Sequence, residues 1–413
     1  MKIMTDSHED NKLTVQTPSN GGPLAGIRVI ELARVLAGPW AGQMLADMGA
    51  DVIKVENPDG GDDTRAWGPP FVDGKNGENL SAAYYHSTNR GKRSIAVDLK
   101  TAEGQDVVRR LVAGADVVIE NFKVGGLTKY GLDYESLSAV NPKLVYCSIT
   151  GFGQNGPYAN FAGYDYIVQG MSGFMSITGE PDGQPMKAGV AIADIFTGIY
   201  SVTAIQAALI HMMKTGEGQH IDMALLDVQA GVLANQNMNY LISGTSPQRL
   251  GNAHPNISPY EVMPTADGFL ILAVGNDGQF RRLCAILGID AVADDARFAT
   301  NRARVAHKAE VRRIVSDETV KWTKRTLLTA CEKNAVPAGP INSIAEMFDD
   351  PQVKARGLRI DLEDADGTMI PGVRNPIVMS KTPLQYHRPS PRVGEHDAEI
   401  LAELIEIERK TGK

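Results

Sequence analysis

The chain has 413 residues, 43% hydrophobic and 22% charged, a globular composition too long for one ordinary core, so two domains are expected. A formal net charge of −8 argues against general nucleic-acid binding, and an anionic ligand would need a local basic patch. Cys147, Cys284 and Cys331 form no metal-spaced pair, and their odd number argues against a disulfide scaffold, which suits a reducing cytoplasm.

Residues 1–22 are polar, mix both charges and lack the apolar centre of a signal peptide, so they read as a disordered tail. From residue 25 to 150 strand and helix signals alternate. Arg28–Leu32 is a short apolar strand, and Gly38-Pro39 opens a helix whose proline sits where a missing N–H costs nothing. That helix runs to about Met48, with Gly49 suited to its end. Further strands are expected over 51–56, 93–99, 116–120 and 144–149, with a helix over 102–113. Such alternation predicts βαβ units and a largely parallel sheet, an α/β fold. The first crossover lacks GxGxxG, so the usual dinucleotide fingerprint is absent.

A long apolar helix is expected from Ile195 to Lys214, stopped by Thr215-Gly-Glu-Gly218. Its 19 uncharged residues from Ile195 to Met213 are long enough for a membrane span, but Thr197, Ser201, Gln206 and His211 favour a buried core helix. A strand over 219–223 and a helix over 226–243 follow. Residues 244–262 are rich in Gly, Pro, Asn and Ser and mark a boundary, and Pro337-Ala-Gly-Pro340 reads as a second break. The expected layout is a large domain over 23–225, a linker helix over 226–250, a small domain over 251–330, a linker over 331–345, and a return to the large domain over 346–413.

Asp194 is the only charged side chain between Ala188 and Met213. Placed where a helix begins, it is read either as an N-cap or as a carboxylate nucleophile toward an activated carbonyl; the two roles are compatible. Arg90-Gly-Lys-Arg93, with Lys100 after it, is either a solvated loop or a phosphate clamp. Asn121-Phe122 directly follows a strand, where parallel sheets place their ligand crevice. Tyr164, Asp165 and His254 lie in polar, glycine-bearing loops and are weaker candidates for chemistry. Arg34 and Arg65 either pair with a substrate's second carboxylate or serve in structural salt bridges.

Several ordered segments together resemble the class III coenzyme A transferases, the formyl-CoA and carnitine-CoA transferase type. They are Pro23–Leu32, Ala37-Gly-Pro39, Gly49–Glu56, Asn89–Ile95, Asp98-Leu-Lys100, Glu120-Asn-Phe122, Gly163-Tyr-Asp165, Thr215–Gln219, Gly251–Pro255 and Gly394-Glu-His396. The resemblance runs from about residue 23 to 405. It implies a Rossmann-like large domain, a smaller α+β domain and an interlocked homodimer. It also implies transfer of CoA from an acyl-CoA to a small carboxylic acid, with Asp194 forming an acyl anhydride and then an aspartyl-CoA thioester. No metal and no tightly bound cofactor are expected, and acyl-CoA is itself the substrate. CoA contacts map onto Val35, Leu36, Asn57, Val97, Lys100, Asn121, Phe122 and Lys129. Leu36 and Asn57 stand where the formyl-CoA branch has glutamine and arginine, so formyl-CoA:oxalate specificity is not implied. The same fold hosts acyl-CoA racemases, whose histidine falls on Tyr164; a phenol is a poor base near neutrality, so transfer is the preferred reading. A non-catalytic CoA-binding protein is a further alternative, and neither nucleic acid nor membrane is an expected partner.

Overall fold

The computed structural model describes residues 21–411, so all but the last two residues of the expected tail lie outside the described residues. Six strands build the main sheet: β1 (Arg28–Glu31), β2 (Asp51–Glu56), β5 (Arg93–Ala96), β6 (Val117–Glu120), β7 (Val145–Thr150) and β8 (Gln219–Ala224). A small hairpin, β3 (Phe71–Asp73) and β4 (Asn79–Ala82), is inserted between β2 and β5. The sheet order is β5-β2-β1-β6-β7-β8, and every neighbouring pair is parallel. Counted within the sheet, this is the 3-2-1-4-5-6 order of a doubly wound Rossmann-like fold, which reverses direction between β1 and β6.

Largely apolar runs make the four central strands β1, β2, β6 and β7, because the middle of a parallel sheet is buried on both faces. On one face Val29, Val52, Val117 and Val145 pack with helices Ala37–Asp47 and Ile192–Thr215. On the other, Ile30, Ile53, Val118 and Tyr146 pack with helix Ala102–Ala113 and with Ile400 and Leu404 of the last helix, Asp397–Thr411. The C-terminal segment thus returns to the first sheet. Arg93 fixes it there through Glu399 and Glu403, at 3.0 and 2.7 Å.

A second core belongs to a three-stranded antiparallel sheet of β9 (Tyr260–Thr265), β10 (Gly268–Ala273) and β11 (Ala338–Pro340), in the order β11-β10-β9. Phe280, Leu283, Val311, Val315 and Leu327 pack over it. A further hairpin, β12 (Arg359–Glu363) and β13 (Met369–Val373), precedes the final helix.

Four readings need correction. Within Pro337-Ala-Gly-Pro340, expected to be a break, Ala338–Pro340 form the edge strand β11, where a missing N–H is tolerated; Cys331 and Val336 accordingly sit in the small-domain core. The helix expected over 226–243 is two, Leu225–Gly231 and Asn235–Ser243, parted where Ala234 takes a φ of 47°. The sequence also predicts a strand around 368–379, but the strand there, β13, spans only Met369–Val373. The long apolar helix begins at Ile192, three residues earlier than its hydrophobic run suggested. It is long and apolar enough to cross a membrane, yet Val202, Ile205, Ala208 and Leu209 face the large-domain core.

Candidate active site

Because that helix starts at Ile192, Asp194 lies inside its first turn rather than at its N-cap, which is Ala191. Asp165 does the capping. Its Oδ1 accepts the Ala193 N–H at 2.8 Å and the Asp194 N–H at 3.4 Å, while Oδ2 accepts from Gln169 Nε2 at 2.7 Å. Gln169 Oε1 in turn accepts the Ala188 N–H at 2.9 Å, fastening the loop that leads into the helix. Asp194 is thereby left without a capping duty and half-buried.

Burial, and then the negative charge of Asp165, push the Asp194 carboxyl up to about 7. A helix N-terminus favours a carboxylate by roughly 0.3–1 kcal/mol, up to about 2, whereas a rise from 3.8 to about 7 is a penalty of roughly 4 kcal/mol on the charged form. Desolvation therefore wins over the dipole stabilisation expected from sequence. The result is a carboxylate that is weakly held by its surroundings and correspondingly ready to bond to carbon.

Tyr84 carries no signal in the sequence. Burial and the charges of Asp194, Asp165 and Asp62 push its phenol up to about 12, so it faces the same acidic region, with Trp67 edge-on at 5.4 Å.

A cavity of about 240 Å³ opens at the carboxyl ends of β1, β2, β5 and β6, beside the point where the strand order reverses, the usual ligand crevice of such sheets. Of the residues singled out from the sequence, Asn57, Val97, Lys100 and Phe122 line it, as does Arg34. Lys129 stacks on Tyr130, another lining residue, with Nζ 4.6 Å from the ring centre. Asn121 uses both ends of its amide on the β1 loop, accepting the Arg34 N–H at 2.9 Å and donating to the Arg34 carbonyl at 2.6 Å. Val35 and Leu36 form the turn between β1 and helix Ala37–Asp47, and Val35 has a φ of 72°.

This turn joins the cavity to Asp194. Gly198 lies one helical turn after Asp194, and a Cβ there would meet the Ala37 carbonyl at 2.8 Å and Trp40 at 3.0 Å. The two helices can approach this closely only because residue 198 has no side chain.

The basic run is neither a solvated loop nor a phosphate clamp. Arg90 pairs with Asp47 at 2.7 Å, Lys92 with Glu31 at 2.8 Å and Arg93 with Asp51 at 2.6 Å; Lys92 is fully buried. Lys100 remains exposed on the cavity. Arg65 is held by Glu56 at 2.7 Å and by Tyr85 and the Pro391 carbonyl, and so serves the fold. Arg34 is exposed and pairs with Asp63 at 2.7 Å. Tyr164 precedes the Asp165 helix and is 65% exposed. His254 belongs to the small domain's loop, where its Nδ1 accepts the Asn256 N–H and its carbonyl accepts from Lys308.

The profile of CoA-transferase family III matches residues 24–397. The chain is 82% identical to the succinate–glutarate CoA-transferase of Agrobacterium fabrum over 392 residues, which span 95% of this chain and 98% of the relative. It is 41% identical to the human succinyl-CoA:glutarate CoA-transferase over 94% of this chain and 87% of that one. Among solved structures, a CAIB/BAIF family protein from Brucella suis superposes with a TM-score of 0.84 at 60% identity, covering 93% of this chain and all of that one.

Proposed function

The chain belongs to CoA-transferase family III, an enzyme family, and on that premise we propose that it moves CoA between succinate and glutarate through covalent intermediates on Asp194. Relatives named for succinyl-CoA and glutarate support the choice of substrates. The observation that carries the mechanism is a half-buried carboxyl with a raised proton affinity whose helix is capped by another residue.

In the forward direction the Asp194 carboxylate attacks the thioester carbonyl, the C–S bond breaks, and CoA leaves as a thiolate. The mixed anhydride is then attacked at the aspartyl carbonyl by that thiolate, releasing the donor acid and leaving aspartyl-CoA. The acceptor carboxylate attacks this thioester and expels the thiolate again. Attack of the thiolate on the acceptor's acyl carbon forms the new acyl-CoA and restores Asp194. Each step exchanges one activated acyl group for another, so no step demands a strong external acid.

CoA itself is assigned to the cavity beside β1 and β2. Val35, Leu36, Asn57, Val97, Asn121 and Phe122 would contact it, and Lys100 and Lys129 would meet its phosphates. The enzyme is proposed to work as an interlocked homodimer in the cytoplasm. Tyr164 is exposed and offers a phenol where a racemase would use an imidazole, so it gives the epimerase alternative no support.

The test is direct. The protein is incubated with succinyl-CoA, quenched with hydroxylamine, digested and read by mass spectrometry. A hydroxamate on the peptide carrying Asp194, absent in Asp194→Asn, is the expected result, together with glutaryl-CoA formation when glutarate is added. Full turnover in Asp194→Asn would refute the mechanism, and deuterium exchange at the substrate's α-carbon without enzyme labelling would restore the epimerase reading.

A further inference from the structure

One wall of the cavity carries charges that are paired with each other rather than left for a ligand. Lys54, Glu56 and Asp62 line it, yet all three are buried. Lys54 Nζ lies 3.0 Å from Glu31 Oε1 and 2.9 Å from Asp62 Oδ2, and Lys92 Nζ lies 2.8 Å from Glu31 Oε2. Replacing such a network with apolar side chains is often neutral or stabilising, so stability alone is a weak reason for it.

The network ends on the backbone of one short segment, residues 33–39. Lys54 Nζ donates to the Ala33 carbonyl at 2.9 Å. Both carboxylate oxygens of Asp62 stand 3.3 Å from the Val35 N–H. Lys92 Nζ donates to the Pro39 carbonyl at 2.9 Å. Between these three grips Val35 has a φ of 72°, a left-handed conformation that a β-branched residue holds only when its surroundings impose it. Asp62 is well suited to impose it. Burial works against its charge, but Lys54 and the Thr64 N–H outweigh burial and hold its carboxyl down to about 2.

The segment has Arg34 on the cavity at one end and Ala37 against the Asp194 helix at the other. We propose that Asp62, backed by Lys54, is a positioning residue for CoA transfer: it clamps the β1 turn in its left-handed form and so fixes the cavity's edge relative to Asp194. The inference rests on the reading of the cavity as the CoA site.

A double-mutant cycle with glycine tests it. Glycine takes a left-handed φ without strain, so the Val35→Gly turn no longer needs the clamp. Asp62→Ala in the wild-type background is expected to lower kcat/KM for succinyl-CoA by about 30-fold or more, with weaker binding of free CoA by calorimetry. In the Val35→Gly background the same substitution is expected to change kcat/KM by less than about fivefold, whatever level Val35→Gly itself shows. Melting temperature should fall on loss of Asp62 in both backgrounds, because the buried Lys54 loses a partner in each. Asp62→Asn, a milder change, serves if Asp62→Ala does not fold and should show the same dependence on background.

Equal rate losses in the two backgrounds, or a lowered melting temperature with unchanged kcat/KM, would overturn the proposal and leave Asp62 a core residue only. Hydroxylamine labelling of Asp194 in the wild-type protein is read in parallel. Labelling with no coupling sinks the clamp alone, whereas absence of labelling sinks the covalent mechanism on which it was framed.

Discussion

Ionising Asp194 works against its surroundings, and two measurable consequences follow. Its carboxyl is raised to about 7 from 3.8, so the folded protein binds a proton there that the unfolded chain has lost. Stability from this group is therefore full below the unfolded value and falls as pH rises to about 7. Asp194→Asn should raise the melting temperature by a few degrees at pH ~8 and have little effect at pH ~4, a sign opposite to that of most core substitutions. Because only the carboxylate attacks, kcat/KM should fall on the acid side near pH 7. Asp165→Asn keeps a good capping side chain while removing the neighbouring charge, and should move that limb toward lower pH. An unmoved limb would mean that burial alone sets the affinity. Asp194 itself was legible in the sequence, since one charge among 26 residues from Ala188 to Met213 stands out. Its capping partner was not, because Asp165 lies 29 residues from Asp194 and nothing local marks the pair. The basic run at Arg90–Arg93 was misread for the same reason: Glu31, Asp47 and Asp51, which neutralise it, lie some 40 to 60 residues earlier in the chain.

Among the elements, the contact that matters most for the site is between helices Ala37–Asp47 and Ile192–Thr215. It is made without side-chain interlocking at its tightest point, where Gly198 faces the Ala37 carbonyl. Gly198→Ala would place a methyl 2.8 Å from that oxygen and force the helices apart. The expected cost is about 1–3 kcal/mol of stability, together with a fall in kcat, although residue 198 lies on the helix beyond the nucleophile's own turn. Chemical denaturation and steady-state rates check both; an unchanged kcat at lowered stability would show that the helix spacing is not transmitted to Asp194. Strands β1, β2, β6 and β7 were readable because each is a short apolar run between polar signals. β11 was not, because Pro-Ala-Gly-Pro has no strand propensity and is held only by pairing with β10. The helix end at Gly231 escaped notice because Val232-Leu-Ala234 continues the apolar pattern while the backbone turns at Ala234.

At the scale of the whole molecule, strand order is a tertiary property that no local pattern states, and the Rossmann-like layout was legible only through the resemblance. The same holds for assembly, yet the single chain leaves a physical problem that an assembly would solve. Helix Asn235–Ser243 buries none of its nine residues, and neither does Ile344–Asp349. Leu241, Ile242 and Ile344 are 71%, 79% and 75% exposed, and Met213 and Ile210 of the Asp194 helix are also exposed. An isolated helix shorter than about 12 residues is marginal in water, so helix Asn235–Ser243 needs another surface to persist. In the interlocked homodimer proposed above, a second copy of the chain would supply one. Equilibrium sedimentation should then give twice the chain mass even at the lowest usable concentration, because an interlocked pair separates only by unfolding. Leu241→Lys combined with Ile242→Lys would place two charges on that surface and is expected to abolish soluble dimer and activity together. An active monomer in either preparation would show that the exposed apolar helices serve some other contact.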